Sequence, residues 1–117
     1  MGLHVPLFKG PQATGTTMYV GVPIHDGCIG VHLGWLDATS AATVTLELSS
    51  WSPDEAPVTT AGTTGLEWKD SGETITGPAA SAAGSTLVNI MNVRQQRARL
   101  KLVTSANSSW EIYDGLA

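Results

Sequence analysis

The residues able to do chemistry in this 117-residue chain are few and scattered. His25 stands beside Asp26 and offers two metal ligands, but no third follows at a workable spacing, so the pair is expected to be structural. Asp70-Ser71-Gly72-Glu73 superficially resembles a calcium loop. It lacks the series of alternating oxygen ligands such loops need, and a tight turn accounts for it. Cys28 is the only cysteine, which excludes an intrachain disulfide and argues against a thiolate zinc site. Within Cys28-Ile29-Gly30-Val31 it reads as a small core residue, since a nucleophile would need a base and an oxyanion site close by. Gly-x-Ser-x-Gly, His-Glu-x-x-His and phosphate-loop patterns are absent. The carboxylates are too dispersed for a glycosidase pair to be argued from spacing. The expectation is a non-enzymatic protein with no cofactor and no metal.

Two patterns suit contact instead of catalysis. Arg97, Arg99 and Lys101 recur at period two, with Arg94 just before, so four of the six basic residues lie within eight positions. On a strand, that spacing puts three cations on one face. Such a ladder is either a solvated face paired across strands with Glu47 or Glu111, or an electrostatic contact with an acidic partner, for which arginine is well suited. Nucleic acid fits it less well, because no aromatic residues interleave with the cations to stack bases. The second pattern is tryptophan. Trp35, Trp68 and Trp110 sit in strand-like contexts and are expected in the core, whereas Trp51 opens a turn and is the one expected to be partly exposed. An exposed indole beside polar loops is a way for β-sandwich modules to hold sugar rings, which makes Trp51 a glycan-contact candidate.

The elements that must position these residues follow from composition and alternation. The chain is 42% hydrophobic and 14% charged, with 13 glycines and a content of Ser and Thr near one fifth. This excludes a disordered chain, and the scarcity of Lys, Glu, Arg and Gln argues against a helical bundle. Net charge is −4, against general nucleic-acid binding, but it is unevenly spread. Residues 1–93 carry two lysines against eight carboxylates, a net of −6, and residues 94–117 carry a net of +2. No apolar run approaches the ~20 residues that span a bilayer. The start has neither a basic n-region nor an apolar h-region, so synthesis in the cytoplasm without a signal peptide is expected.

Residues 1–16, punctuated by Pro6, Gly10, Pro11 and Gly15, read as an extended N-terminal arm. Val5, Leu7 and Phe8 make it too apolar to be a solvated tail, so it packs on its own domain or on a neighbour. Residues 17–117 form the domain proper. Period-two runs mark strands at 17–23, 28–36, 42–50, 66–68, 86–91, 96–104 and 109–113, with another conceivable at 73–76. The runs at 28–36 and 42–50 predict an antiparallel hairpin. Ser52-Pro53-Asp54-Glu55 suits one helical turn, which Pro57 stops. In 86–91 either Leu87 and Met91 or Val88 and Ile90 face inward. Seven to eight short strands at intervals near ten residues predict an all-β fold: an antiparallel β-sandwich, jelly-roll-like.

This order of elements resembles the small β-sandwich virion accessory proteins of tailed bacteriophages, which include head decoration (cement) proteins and other capsid or tail subunits. The residues carrying the resemblance are the strand Ala42-Thr43-Val44-Thr45-Leu46-Glu47-Leu48-Ser49, the loop to Leu66-Glu67-Trp68 and the spacer ending Ala83-Gly84-Ser85. The strand Arg97-Ala98-Arg99-Leu100-Lys101-Leu102 and a closing strand complete it. The resemblance covers roughly residues 28–113 and is one of strand and turn order, not of an invariant motif. The arm lies outside it, and the closing turn Ser105-Ala106-Asn107-Ser108 is less Gly-rich than the pattern. It implies a virion location, assembly with the major capsid protein and with copies of itself, a homotrimer being the favoured form, and no cofactor. On that basis Arg94, Arg97, Arg99, Lys101, Val5, Leu7 and Phe8 are the candidate partner interface.

Overall fold

The computed structural model describes residues 5–13, 15–38, 42–52, 58, 67–73, 75, 82–104 and 108–115. Among them are eight strands: β1 (Val5–Gln12), β2 (Thr17–Val22), β3 (Ile29–Ala38), β4 (Ala42–Ser49), β5 (Lys69–Asp70), β6 (Ala82–Ile90), β7 (Arg97–Thr104) and β8 (Ser108–Asp114). No described helix is long and apolar enough to cross a membrane. The candidate helical turn at 53–57 lies outside the described residues.

Two four-stranded antiparallel sheets form, in the orders β1-β8-β3-β6 and β2-β7-β4-β5. Strands pair as β1 with β8, β2 with β7, β3 with β6, and β4 with β5. This is a four-tier antiparallel ribbon with its midpoint between β4 and β5. Two further pairings, β3 with β8 and β4 with β7, roll the ribbon into two sheets. That double Greek key is the jelly roll.

The alternation fixes the core. Ile29, Val31, Leu33 and Trp35 of β3, with Trp110 and Ile112 of β8, face Val20, Val22, Val44, Leu46, Leu100 and Leu102 of the other sheet, and all are buried. Trp35 and Trp110 are opposite one another across the β3–β8 ladder and meet edge to face, ring centroids 6.2 Å apart. The two-way choice in β6 resolves in favour of Val88 and Ile90 inward: Leu87 is 65% and Met91 73% exposed. Opposite Trp35 the strand needs Gly84, where a Cβ would lie 3.0 Å from the indole Cζ2.

Four expectations need correction. The 28–36 and 42–50 runs are strands but not a hairpin: β3 and β4 belong to different sheets. A period-two pattern says which face is inward, not which strand is the neighbour, and a corner between sheets satisfies it as well as a turn within one. The N-terminal arm is in fact β1, an edge strand paired with β8 from Val5↔Asp114 to Gln12↔Ser108. Its prolines hid it. Pro6 and Pro11 are tolerated because an edge strand has one side free of ladder bonds, and the register shifts between Pro6 and Phe8 around Leu7. Of the strand expected at 66–68, residue 66 lies outside the described residues, Trp68 makes only a bridge, and β5 is Lys69–Asp70. Ala82–Ser85, read as part of a spacer, opens β6.

The inter-sheet corner after β1 is pinned by Gln12, a buried amide whose Nε2 donates to the carbonyls of Leu102 (2.9 Å) and Thr16 (3.2 Å). Between β2 and β3, His25-Asp26-Gly27-Cys28 is a tight turn. His25 and Cys28 exchange backbone hydrogen bonds of 2.8 and 2.9 Å, and φ is positive at Asp26 (52°) and Gly27 (76°). That is a type I′ turn, for which Asp-Gly is a favoured pair. Cys28 is half-buried in it, not a core residue.

Two outcomes follow. Those amides of residues 8–12 that donate into the β8 ladder, Pro11 having none, are expected to exchange far more slowly than in an unstructured peptide; exchange at the peptide rate would return the segment to an arm. Gly84→Ala is expected to lower unfolding free energy by about 1–3 kcal/mol through forced repacking of Trp35, read as a reduced urea midpoint.

Candidate functional site

Strand β7 lies between β2 and β4, so Arg99 and Lys101 have a neighbour on both sides, and Arg97 has one on the β4 side. Arg99 is level with Gly21 and Glu47, Lys101 with Tyr19 and Thr45, and Arg97 with Ser49. All three project away from the sandwich core, as the alternation requires. They are not, however, an exposed basic stripe.

Arg99 is 0% and Glu47 1% exposed. Arg99 Nε donates to Glu47 Oε1 at 2.7 Å, and Nη1 donates to the Val58 carbonyl at 2.9 Å. The guanidinium packs on two aromatic rings, 4.0 Å from the Tyr19 centroid and 4.4 Å from that of Trp68. These contacts supply what a desolvated arginine needs: a carboxylate, a carbonyl and π-faces. Gly21 is the remaining neighbour of Arg99 in the sheet. Directly across from Arg99, it lies under the Val58 side chain, whose Cγ1 is 3.5 Å from where a Cβ would stand, an ordinary contact distance. Trp68 is fully buried, but on the outer side of this sheet, roofing the charge pair, and it is absent from the inter-sheet core cluster. Arg97 lies 5.1 Å from the same indole and is half-buried, as is Lys101.

The candidate partner interface is therefore divided. Arg99 is removed from it, because it is inside the protein. Arg94 alone of the four cations is exposed. In β1, Leu7 and Phe8 are half-buried and pack against the core of their own domain, and Val5 lies in the strand's ladder opposite Asp114. Glu111, a candidate partner for the ladder, instead faces Lys9 across β1–β8, Nζ to Oε1 3.4 Å. That exposed pair contributes about 0–1 kcal/mol.

His25 engages not its neighbour Asp26 but Asp114, 2.5 Å from Nε2 to Oδ2. The Asp114 carboxylate is buried at the end of β8, so this contact ties the β2–β3 turn to the last strand. Among the described residues no group of three His, Cys, Asp or Glu side chains comes together to hold a metal. Asp70 forms the expected tight turn: its Oδ1 accepts from the Gly72 amide at 2.8 Å, with Gly72 at φ 84°.

Among the described residues, two surfaces stand out for contact with other molecules. The outer face of the β1-β8-β3-β6 sheet exposes Leu36 and Leu87, and Met91 continues the same alternation. Between them lies a shallow depression whose lining includes Gly34, Ser85, His32 and Tyr113. On the other sheet, a groove of about 450 Å³ runs from the end of β4 to β5. Trp51 stands at it, 45% exposed, as the sequence anticipated for this indole alone.

Sequence reasoning missed the Glu47–Arg99 clamp as a buried site. Three signals bore on it: Glu47 and Arg99 both fall in the outward phase of their strands, Trp68 lies in a stretch too short to fill a core strand, and Gly21 breaks an otherwise apolar strand. Comparison with family models, with curated proteins and with solved structures finds no match.

Removing one partner of the clamp leaves a buried charge uncompensated. Arg99→Ala and Glu47→Ala are each expected to cost about 3–5 kcal/mol of unfolding free energy, whereas Arg94→Ala stays within about 0.5 kcal/mol. Urea unfolding of the three variants checks this; equal midpoints would place Arg99 back at the surface.

Proposed function

We propose that the chain is a non-enzymatic virion structural protein of a tailed phage: a decoration or cement subunit that binds the major capsid protein and stabilises the shell. The feature of the molecule that best supports this is the outer face of the β1-β8-β3-β6 sheet. It exposes Leu36, Leu87 and Met91 around small residues, and its Lys9 and Glu111 are already paired with each other. Such a face is inexpensive to desolvate against a flat protein surface. The jelly-roll order suits the reading, since viral capsid proteins use it, but so do lectins, and a fold alone does not assign function.

Mechanistically, the subunit bridges neighbouring shell subunits and contributes contact area, not chemistry. Weak individual contacts become effective because a lattice presents many copies at once. A homotrimer would match local three-fold positions on a shell. Arg94 at the exposed end of the former ladder adds charge attraction, with Arg97 and Lys101 only partly available.

Purified protein mixed with undecorated shells is expected to co-sediment, with binding that persists as salt is raised. A buried leucine contributes about 1.5–3 kcal/mol. Leu36→Asp combined with Leu87→Asp should therefore raise the dissociation constant at least about a hundredfold, and Arg94→Glu far less. Absence of co-sedimentation at every salt concentration would remove the decoration role. Arg99→Glu is no test of an interface, because it breaks the internal clamp.

A further inference from the structure

Three of the four tryptophans are enclosed: Trp68 and Trp110 are 0% exposed and Trp35 is 7% exposed. Trp51 is not, although an indole is the side chain with most to gain from burial. It stands beside the groove at the end of β4, together with Glu67, Lys69, Asp70, Ser71 and Gln95. The positions of these groups are set by the sheet. The Trp51 amide donates to Ser49 Oγ at 3.1 Å, fixing the turn that leaves β4. On the other side, Glu47↔Asp70 and Leu48↔Lys69 are ladder pairs, and the Ser71 amide donates to the Leu46 carbonyl at 2.9 Å. An exposed flat apolar surface is thus held beside acceptors on Glu67 and Asp70 and donors on Lys69 and Gln95. The volume falls within the range of small-molecule sites, which combine an apolar wall with a few placed polar groups.

We propose that this groove binds a neutral saccharide, with one pyranose ring stacked on Trp51. A pyranose has an apolar C–H face and a rim of hydroxyls that both donate and accept. An indole covers the first. Carboxylates, an ammonium and an amide answer the second, and hydrogen bonds to charged groups are the stronger kind. Other ligand classes fit less well. A nucleic-acid strand would meet two carboxylates against one ammonium, the wrong balance for phosphates. A quaternary ammonium is held by a cage of aromatic rings, and Trp51 is the one aromatic among the described lining residues. A wholly apolar ligand would cover the exposed polar atoms of the lining without offering them hydrogen bonds. The proposal does not rest on the virion reading. The groove is built on the β2-β7-β4-β5 sheet, and the Leu36–Leu87 face belongs to the other.

The burial pattern provides the assay. Because Trp51 is the exposed indole among four, a stacked sugar should shift the tryptophan emission to the blue and shield it from acrylamide. The intact chain is titrated with the methyl glycosides of glucose, galactose and N-acetylglucosamine, with their short oligomers, and with choline as a cation control. At least one neutral sugar is expected to give a saturable shift with a dissociation constant of about 0.1–10 mM. Isothermal calorimetry, which does not depend on the fluorophore, then compares variants. Trp51→Ala should weaken that binding at least about tenfold. Trp51→Phe should retain part of it, and Asp70→Asn should weaken it with the stacking shift preserved. Circular dichroism and thermal midpoint should be unaltered for Trp51→Ala, since the ring is not packed in the core. No saturable response from any neutral sugar, binding by Trp51→Ala equal to the parent, or saturation by choline alone would each overturn the assignment. None of these outcomes bears on shell binding, which is read by co-sedimentation.

Discussion

The burial of Arg99 against Glu47 is the constraint on which one half of the molecule depends. A guanidinium and a carboxylate withdrawn from water must be fully answered, and here the answer comes from distant parts of the chain: Tyr19 on β2, Glu47 on β4, the Val58 carbonyl, Trp68 before β5 and Arg99 on β7. Each contributor is useful only if the others are in place. The pair also fixes register. Glu47 and Arg99 are directly opposed across β4–β7, and a slip of one residue would turn one of them into the apolar core. Net stabilisation by a buried ion pair is small compared with what its disruption costs. Its role is therefore best described as selecting one strand alignment over its neighbours.

This clamp also changes how the charge distribution is understood. The C-terminal quarter is basic in sequence, yet its central cation is cancelled internally and two others are half-covered. Among the described residues, what stands out toward solvent is an apolar sheet face and a polar groove beside an indole. The first suits a broad, flat protein partner and the second a small hydroxylated ligand. The two differ in the physics of recognition as well as in position: area and shape on one sheet, a single stacking surface with directed hydrogen bonds on the other.

Much of the fold was legible in the residues. Alternation located the core faces of β3, β4, β7 and β8 and gave the antiparallel sandwich, because burial on one side of a strand leaves a period-two record. It could not say which strands pair. The same pattern serves a hairpin or a corner, and β3 and β4 prove to be a corner. In β1 the prolines and glycines that mark an edge strand are also the marks of a loop, so Val5–Gln12 was indistinguishable from an arm. The site was legible in part. Trp51 stood out because it interrupts the alternation at a turn. Arg99 did not, because outward from the core was equated with outward to water. That equation fails when a loop roofs the sheet, and a roof built by Val58 and Trp68 leaves no periodic trace.

The pairing of β1 with β8 has a consequence in time. Val5 finds its partner in Asp114, more than a hundred positions later. Since a ribosome adds roughly 5–20 residues per second, the first strand waits several seconds for the last one to be made. During that interval the interior edge of β3, later covered by β8, is without its neighbour, as is β1 itself. Both are apolar and capable of pairing with a stranger. The sandwich is thus closed last along the seam between β1 and β8, and its open edges stay exposed to mispairing until β8 has been made.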